Sequence, residues 1–490
     1  MGISPYAAIV IGSKNMLMKV YEISGGKGFR TVDEIRYEYE LGKEAYFTRK
    51  ITFAQIEEIC NVLMEFQQRR EYAITEFRCY ATSAIRNAKN QVSVLNQIKI
   101  RTGVDVIMLS NSELRFLMYK GIQVLDIDFN KIIEKNTAIL DIGSGSVQVS
   151  LFDKQALYMT QNLDIGTVKV RGFLESVENN VLDYISVLEE YIQYEFDMFK
   201  SGYLKDKDIK NVIAIGDEIK NINRLIPELH LTDTMSYEQI LYIYKKIKKA
   251  SYQDIALKYG LSIEDARMVL PSVLIYKTFL ERSKADTVYI CATNLCDGSV
   301  VDYAQETKKI KLSHDFYQDI VASAKYIGKR YRYSKVHAQY ITDLALEIFD
   351  KTKKFHGLTQ RDRLILEISA ILHDIGKYVN LNDPGMNGCQ LINSTEIMGL
   401  SHREREEVAN IVLYNTQELP DTDELDTAFW REEYLRIAKL SSILRLANAL
   451  DRGHKQKLEK CSMARKGKEL IISLETNQDN TLEITRFSKK

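Results

Sequence analysis

The chain is poor in proline, cysteine and tryptophan, and neither sign of charge prevails. Its 490 residues include 5 prolines, 6 cysteines and 1 tryptophan, and 67 basic residues balance 67 acidic ones. So few prolines exclude a proline-rich linker, and a net charge of zero provides no global field that would attract nucleic acid. Cysteines scattered along a long chain are typical of reduced thiols, so we expect a cytoplasmic protein.

Long apolar runs are also absent. No stretch reaches the roughly 18 residues that a membrane-spanning helix needs, so we expect no membrane partner. An apolar content of 45% and a charged content of 27% are typical of folded globular domains. The length of the chain predicts about three such domains.

The most informative segment is residues 138–152, where a glycine-rich turn joins two strand-like runs. An apolar run ends near Asp141, Gly143, Ser144, Gly145 and Ser146 follow, and apolar and polar residues then alternate. Alternation with a period of two predicts a second strand, whereas a dinucleotide-binding loop or a P-loop opens a helix. The backbone N–H groups of such a turn can form a nest for phosphate. An ordinary hairpin is the alternative interpretation.

A similar pattern occurs near the N-terminus. An apolar run leads into Gly12, Ser13 and Lys14, and a second strand-like run follows at residues 16–23. Gly12 and Gly143 lie 131 positions apart. Two such hairpins predict two related lobes that face a cleft, which is the arrangement of the two-lobed actin/hexokinase-like (ribonuclease H-like) α/β proteins.

The rest of the chain divides by its periodicity. We predict an actin-like lobe I at residues 1–125, an actin-like lobe II at 126–305, and an all-α domain with a small β tail at 306–490. Within lobe II the pattern predicts a long helical stretch at 173–200. In the tail, residues 469–475 and 481–487 read as two strands of a hairpin around an Asn-Gln-Asp-Asn turn.

Several segments resemble one known family. Residues 81–90, Ala-Thr-Ser-Ala-Ile-Arg-Asn-Ala-Lys-Asn, closely match a segment of the exopolyphosphatase/guanosine pentaphosphate phosphohydrolase family. The turns at residues 11–13 and 141–146 resemble its two phosphate loops, and residues 102–110 resemble the segment leading to its catalytic glutamate. Residues 372–377, Leu-His-Asp-Ile-Gly-Lys, resemble the HD-type domain of the longer members. The resemblance runs along nearly the whole chain.

This resemblance implies a phosphohydrolase that acts on the terminal phosphoanhydride of polyphosphate or guanosine pentaphosphate. Phosphoryl transfer depends mainly on positioning and charge neutralisation. The implied phosphate-binding residues are Gly12, Ser13, Lys14, Ser83, Arg86, Gly143, Ser144, Gly145 and Ser146. The resemblance also implies Mg²⁺ or another divalent cation. Asp141 is the best-placed acid, either as a catalytic group, as a metal ligand or as a brace for the turn.

The chain departs from the family pattern at its acidic positions. Val10 replaces an aspartate of the first loop, Leu114 stands at the position of the catalytic glutamate, and Gln148 replaces a glutamate after the second loop. Glu113 would therefore have to supply the base. At the third loop, Asp217 and Glu218 replace small residues of the family, and we expect these carboxylates to repel a polyanion.

The helical part contains a second candidate site. By the resemblance, His337, His373 and Asp374 would bind a divalent metal, together with a late aspartate. That late position falls on Asn448, and Asp451 follows three residues later. A buried polar pair that fixes helix packing is the alternative interpretation of His373 and Asp374.

Two functions from different classes remain open. The first is a phosphohydrolase, and the second is a non-catalytic sensor or scaffold that binds a phosphorylated ligand and signals through the helical part. The loss of several acids favours the second, because losing a general base costs about 10²–10⁴-fold in rate. A nucleotide-dependent phosphotransferase is a weaker third possibility. We also predict a homodimer, because the helical part offers apolar surface that includes Trp430.

Overall fold

The computed structural model describes most of the chain. The described residues are 4–24, 28–39, 41, 48–69, 74, 76–125, 127–177, 183–204, 208–226, 233–420, 431–457, 460–466 and 469–487. They form two compact units, Met1–Phe316 and Tyr317–Lys490. Trp430 lies outside the described residues. No helix among the described residues has the length and apolarity to cross a bilayer.

Two mixed sheets build the first unit. The strands of the first sheet are β1 (Ser4–Ile11), β2 (Asn15–Ser24), β3 (Gly28–Glu38), β4 (Phe77–Ala81) and β5 (Val106–Met108). Those of the second are β6 (Thr137–Ile142), β7 (Val147–Asp153), β8 (Ala156–Leu163), β9 (Asn211–Ile215), β10 (Thr234–Ser236) and β11 (Thr287–Cys291). Their spatial orders are β3-β2-β1-β4-β5 and β10-β11-β9-β6-β7-β8.

The two sheets repeat one topology. Each sheet contains three consecutive antiparallel strands, β1 to β3 in one and β6 to β8 in the other. The first strand of each set also begins a parallel series. In one sheet β1 pairs with β4 and β4 with β5, and in the other β6 pairs with β9 and β9 with β11. The first turn of each antiparallel set is closed by the same backbone hydrogen bond, from Gly12 N to Asn15 O and from Gly143 N to Ser146 O, both 2.9 Å. The two-lobed prediction is therefore confirmed, including the equivalence of the two turns.

Helices cover the sheets of the first unit. Their bounds are α1 (Phe53–Gln67), α2 (Ser83–Arg86), α3 (Gln91–Thr102), α4 (Asn111–Lys120), α5 (Phe129–Ile132), α6 (Thr167–Val177), α7 (Tyr184–Phe199), α8 (Asp217–Asn223), α9 (Tyr237–Ile247), α10 (Tyr252–Tyr259), α11 (Ile263–Ser283) and α12 (Leu295–Glu306). The predicted helical stretch at 173–200 consists of the two helices α6 and α7, and residues 178–182 lie outside the described residues.

Helix α12 links the two lobes. It follows the last strand of the second sheet, yet Cys296 and Val300 pack against Tyr6 and Leu17 of the first sheet. A Cβ at Gly298 would lie 1.9 Å from the carbonyl oxygen of Leu117, so α12 and α4 touch backbone to backbone. Helix α12, which follows the last strand of the second sheet, is therefore packed closely against lobe I. The domain boundaries at 125 and 305 stay a prediction.

The second unit is mostly helical, as predicted. Its helices are α13 (Phe316–Arg330), α14 (Lys335–His356), α15 (Gln360–Leu372), α16 (Pro384–Asn393), α17 (His402–Tyr414), α18 (Arg431–Leu450) and α19 (Thr481–Phe487), with the hairpin β12 (Lys460–Lys466) and β13 (Glu469–Glu475). The prediction of a strand at 481–487 is wrong. Asp479 accepts hydrogen bonds from Thr481, and buried Glu483 accepts from Lys457 and the Gly453 amide, which together fix a helix there.

Candidate phosphate-binding cleft

A cavity of about 210 Å³ lies where the two lobes of the first unit face each other. Both predicted turns reach it. Its lining includes all nine predicted phosphate-binding residues and Asp141: Gly12, Ser13, Lys14, Ser83, Arg86, Asp141, Gly143, Ser144, Gly145 and Ser146. Val10, Leu114 and Gln148, the three positions that depart from the family acids, line it as well. The residues that the sequence analysis singled out thus line one cavity, and their role in phosphate binding stays a prediction.

The second turn presents unused backbone donors. Its carbonyl oxygens at Gly143 and Ser144 accept hydrogen bonds from the first amides of α6, Thr167 N and Val168 N, both at 3.0 Å. Within the described part of the chain, the amides of Ser144, Gly145 and Ser146 have no acceptor. Gly166 permits this packing, because a Cβ there would lie 2.4 Å from Ser146 N. Free amides on a tight turn form a nest for an anion.

The first turn is braced by the segment that matched the family best. The Ser13 and Ser83 hydroxyls lie 3.4 Å apart. Thr82 donates from its amide to Ile11 O at 3.2 Å, because β4 runs parallel to β1. Arg86 donates to Leu109 O at 2.9 Å and also to Asn111, so its guanidinium is held at the cavity wall.

Glu113 is not brought into the cleft. Its carboxylate accepts a hydrogen bond from Ser110 N at 2.8 Å, and the Ser110 hydroxyl accepts one from Glu113 N at 3.2 Å. This reciprocal pair is a capping box at the start of α4. Leu114, the next residue, lines the cavity instead. The geometry thus gives Glu113 a capping role at the start of α4, and its role as the base stays a prediction.

Asp141 is a buried carboxyl group that lines the cavity. Burial, together with the nearby carboxylates of Asp217 and Glu218, raises its pKa from 3.8 to about 7, although the Arg115 guanidinium acts against this rise. Gly216 lies so close that a Cβ there would be 3.2 Å from Asp141 Oδ1. A carboxyl group with a pKa near neutrality can take or give a proton at physiological pH.

The carboxylates of the third turn, Asp217 and Glu218, are both paired with cationic side chains. This corrects the expectation that they would simply repel a polyanion. Glu218 accepts from Lys14 Nζ at 2.5 Å and from the Ser272 hydroxyl at 3.0 Å. Asp217 lies 3.4 Å from Arg36. Although burial opposes it, the charge of Glu218 raises the pKa of Lys14. Both ion pairs join lobe I to lobe II across the cleft, so Lys14 has a partner before any ligand arrives.

Arg115 is a residue that the sequence analysis missed. Its side chain is buried, its Nε donates to Gln148 Oε1 at 3.2 Å, and it also donates to Thr160. Gln148 is the cross-strand partner of Asp141 in the β6–β7 ladder. A charged side chain among apolar neighbours on α4 is the only signal that the sequence offered.

In the second unit, His337, His373 and Asp374 come together as predicted. His337 Nε2 lies 3.2 Å from His373 Nε2 and 3.8 Å from Asp374 Oδ2. Asp451, three residues after Asn448, contacts the cluster because it accepts a hydrogen bond from His337 Nδ1 at 2.8 Å. His454 was missed: its ring stacks on His337, and it forms with His337 and Asp374 a group able to hold a metal ion.

Two imidazole lone pairs face each other in this cluster. His373 Nδ1 lies 2.7 Å from Ala370 O, which can only accept, so this nitrogen carries the proton. His337 Nδ1 likewise donates to Asp451. In their neutral forms, both Nε2 atoms therefore point lone pairs at each other. A cation between them would remove that repulsion. In metal sites, a ligating histidine usually donates its other ring N–H to a carboxylate, as His337 does to Asp451.

Comparisons with known proteins agree with this geometry. A model of the Ppx/GppA phosphatase family matches residues 19–307, and a model of Ppx/GppA phosphatase domain III matches residues 321–488. The chain is 23% identical over 466 residues to a guanosine-5'-triphosphate,3'-diphosphate pyrophosphatase of Photobacterium profundum, covering 90% of this chain and 87% of that one. Identity to a protein of the same name from Vibrio campbellii is 20% over 484 residues, with 97% and 93% covered.

A solved structure supports the fold. The crystal structure of the Aquifex aeolicus member of the Ppx/GppA family superposes with a TM-score of 0.54 at 20% identity, and the match covers 62% of this chain and 99% of that one. At this level of identity, the structural similarity supports the two-lobed fold and carries no information about the reaction.

Proposed function

Because the chain belongs to the Ppx/GppA phosphatase family, we propose that it is a phosphohydrolase that releases the terminal phosphate of inorganic polyphosphate or guanosine pentaphosphate. The observation that carries this proposal is the convergence of both glycine-serine turns and Asp141 on one cavity. The relatives whose names specify a guanosine polyphosphate substrate match almost the full chain, which supports the same class of substrate.

The phosphate would be held mainly by the backbone. The amides of Ser144, Gly145 and Ser146 can donate to non-bridging oxygens, since among the described residues they have no backbone acceptor. Arg86 and Ser83 can donate from the opposite lobe, and arginine offers two parallel donors. Positioning and charge stabilisation of this kind carry most of the catalysis in phosphoryl transfer.

Asp141 is our choice for the general base, in place of Glu113. A water molecule would attack the terminal phosphorus, the bond to the bridging oxygen would break, and Asp141 would take the proton of the water. Its pKa of about 7 makes it basic enough for this step and still largely ionised at slightly alkaline pH. Glu113 is excluded from our mechanism because it caps α4.

Phosphate release from long-chain polyphosphate and from guanosine pentaphosphate tests the proposal. We expect Asp141→Asn to lower the rate at least about 10²-fold, the usual contribution of a general base. Glu113→Gln is the matched control, because glutamine also serves at this position of a capping box, and it should retain activity. Activity in Asp141→Asn, or its loss in Glu113→Gln, would contradict these roles.

A non-catalytic phosphate sensor is the second candidate. Leu114 occupies the cavity wall where the family pattern has its base, and Lys14 is already paired with Glu218. The same assay separates the two functions. Binding of polyphosphate without any release of phosphate by the wild-type protein would favour the sensor, and release that disappears in Asp141→Asn would rule it out.

We place the divalent cation of the family in the second unit. His337, Asp374 and His454 supply two nitrogens and one oxygen, and His373 faces His337. Nitrogen-rich sites prefer Zn²⁺ or another transition metal to Mg²⁺. Metal analysis of the purified protein should find one such ion in the wild type and less in His337→Ala. Equal metal content in the two proteins would contradict the site.

The cleft itself does not fit a protein-held Mg²⁺. Asp217 and Glu218 are paired with Arg36 and Lys14, which leaves Asp141 as the available carboxylate among the described residues that line the cavity. In the described part of the chain, three ligating groups meet only in the second unit. We therefore derive no step of the cleft chemistry from a metal ion.

We also propose that the protein acts in the cytoplasm as a homodimer. Five described cysteines, Cys60, Cys79, Cys291, Cys296 and Cys389, are free and buried, as expected for a reducing compartment. Light scattering at micromolar concentration tests the dimer. A mass near that of the single chain, 56.5 kDa, would contradict it.

A further inference from the structure

We infer that Glu218 competes with bound phosphate for the ammonium group of Lys14 and thereby weakens the binding of phosphate in the cleft. This inference rests on the proposed phosphate site and concerns how tightly that site retains its product. It makes Glu218 a positioning residue that acts through Lys14.

The ion pair of Lys14 and Glu218 lies at the cavity, between the two lobes. Lys14 follows Ser13 in the first turn, Glu218 belongs to α8 in the second lobe, and both residues line the cavity. Lys14 Nζ lies 2.5 Å from Glu218 Oε1. The cation that the first turn would offer to a phosphate is therefore already engaged by a carboxylate of this chain.

Glu218 is held in place by its own lobe. The hydroxyls of Thr167 and Ser272 lie 3.4 Å and 3.0 Å from its two carboxylate oxygens. The side chain of Glu218 is 6% exposed, whereas that of Lys14 is 21% exposed. A lysine also carries its ammonium group on a flexible four-carbon stem. We therefore expect Lys14 to be the partner that moves when a phosphate competes for it.

The charges around Lys14 determine how this competition affects the ligand. The carboxylate of Glu218 balances the charge of the ammonium group, and the carboxylate of Asp265 adds negative charge nearby. A phosphate that drew Lys14 away would leave the buried carboxylate of Glu218 without its cation, which is costly. The phosphate therefore gains less from Lys14 than from a lysine without a carboxylate partner. After hydrolysis, the return of Lys14 to Glu218 favours release of the phosphate.

Glu218→Gln is the decisive variant, because glutamine has nearly the same shape and carries no charge to hold the ammonium group. Asp265→Asn is the matched control. It also removes a carboxylate that acts on Lys14, but among the described residues Asp265 forms no ion pair with Lys14. A double variant, Glu218→Gln with Lys14→Met, removes both partners. Calorimetry measures the binding of inorganic phosphate to each full chain, and thermal denaturation checks that each variant is folded.

We expect Glu218→Gln to bind phosphate about tenfold more tightly than the wild type, the gain expected for one charge-assisted hydrogen bond, whereas a purely structural role of Glu218 would weaken binding. Asp265→Asn should stay within about twofold of the wild type, because a partly exposed charge is screened. The double variant should lose the gain, because Lys14 supplies it.

Three results would overturn the inference and leave the phosphate site standing. They are unchanged or weaker binding by Glu218→Gln, an equal gain in Asp265→Asn, and a gain that persists in the double variant. No phosphate binding by any of the four proteins would overturn both the inference and the proposed phosphate site.

Discussion

Replacing Asp141 by asparagine should make the folded protein more stable above pH 7, even though it removes the proposed base. The carboxyl group is buried and lies near the carboxylates of Asp217 and Glu218, so its pKa is raised from 3.8 to about 7. A group whose pKa is raised on folding binds its proton more tightly in the folded state than in the unfolded state. Stability from this group is thus full below pH 3.8 and is lost as the pH rises through about 7.

The size of the stability difference follows from the rise in the pKa of Asp141. Each pKa unit corresponds to about 1.4 kcal/mol, so a rise from 3.8 to about 7 corresponds to about 4 kcal/mol. Asparagine has nearly the same shape and carries no charge at any pH in this range. The difference in free energy of unfolding between Asp141→Asn and the wild type should therefore grow from near zero at pH 4 to about 4 kcal/mol at pH 8.

Denaturant unfolding of both proteins across this pH range measures the difference directly. Taking the difference at each pH cancels the titration of all other groups, provided that the first unit unfolds in a resolved transition. A constant difference across the range would refute the reasoning, because it would mean that Asp141 titrates alike in the folded and unfolded states. A variant that is less stable at pH 8 would refute it as well.

Three further substitutions test other contacts. Lys14→Met leaves Glu218 buried without its cation and should lower the free energy of unfolding by about 3 kcal/mol; adding Glu218→Gln should recover most of it, and equal losses in both variants would argue against the pair. Gly166→Ala should displace the second turn, because the new Cβ would lie 2.4 Å from Ser146 N. It should therefore lower phosphate release at least about tenfold, and unchanged release would contradict phosphate binding by the amides of this turn. His454→Ala should lower the metal content of the purified protein, and undiminished metal would remove His454 from the site.

The two turns could be predicted because their structure is local. A glycine at the end of an apolar strand, followed by small polar residues and renewed alternation, specifies a hairpin without help from distant parts of the chain. The matching hydrogen bonds at Gly12 and Gly143 show how similar the two are. The cap at Glu113 was also readable, since Ser110 and Glu113 have the spacing of a capping box.

What the sequence could not give is the pairing of distant charges. Lys14 and Glu218 are 204 positions apart, and nothing near either residue indicates that they meet. The C-terminal segment fails for a related reason. Its alternation favoured a strand, but Glu483 is the buried residue there, held by Lys457. A contact between distant residues overrode the local pattern.

The pH dependence of kcat/KM for phosphate release tests the central claim, that Asp141 replaces the missing glutamate as the base. If Asp141 must lose its proton to act, kcat/KM should rise with pH and level off above about 7 in both the wild type and Glu113→Gln. A profile that is flat between pH 5.5 and 8.5, or one whose rise disappears in Glu113→Gln, would contradict the account.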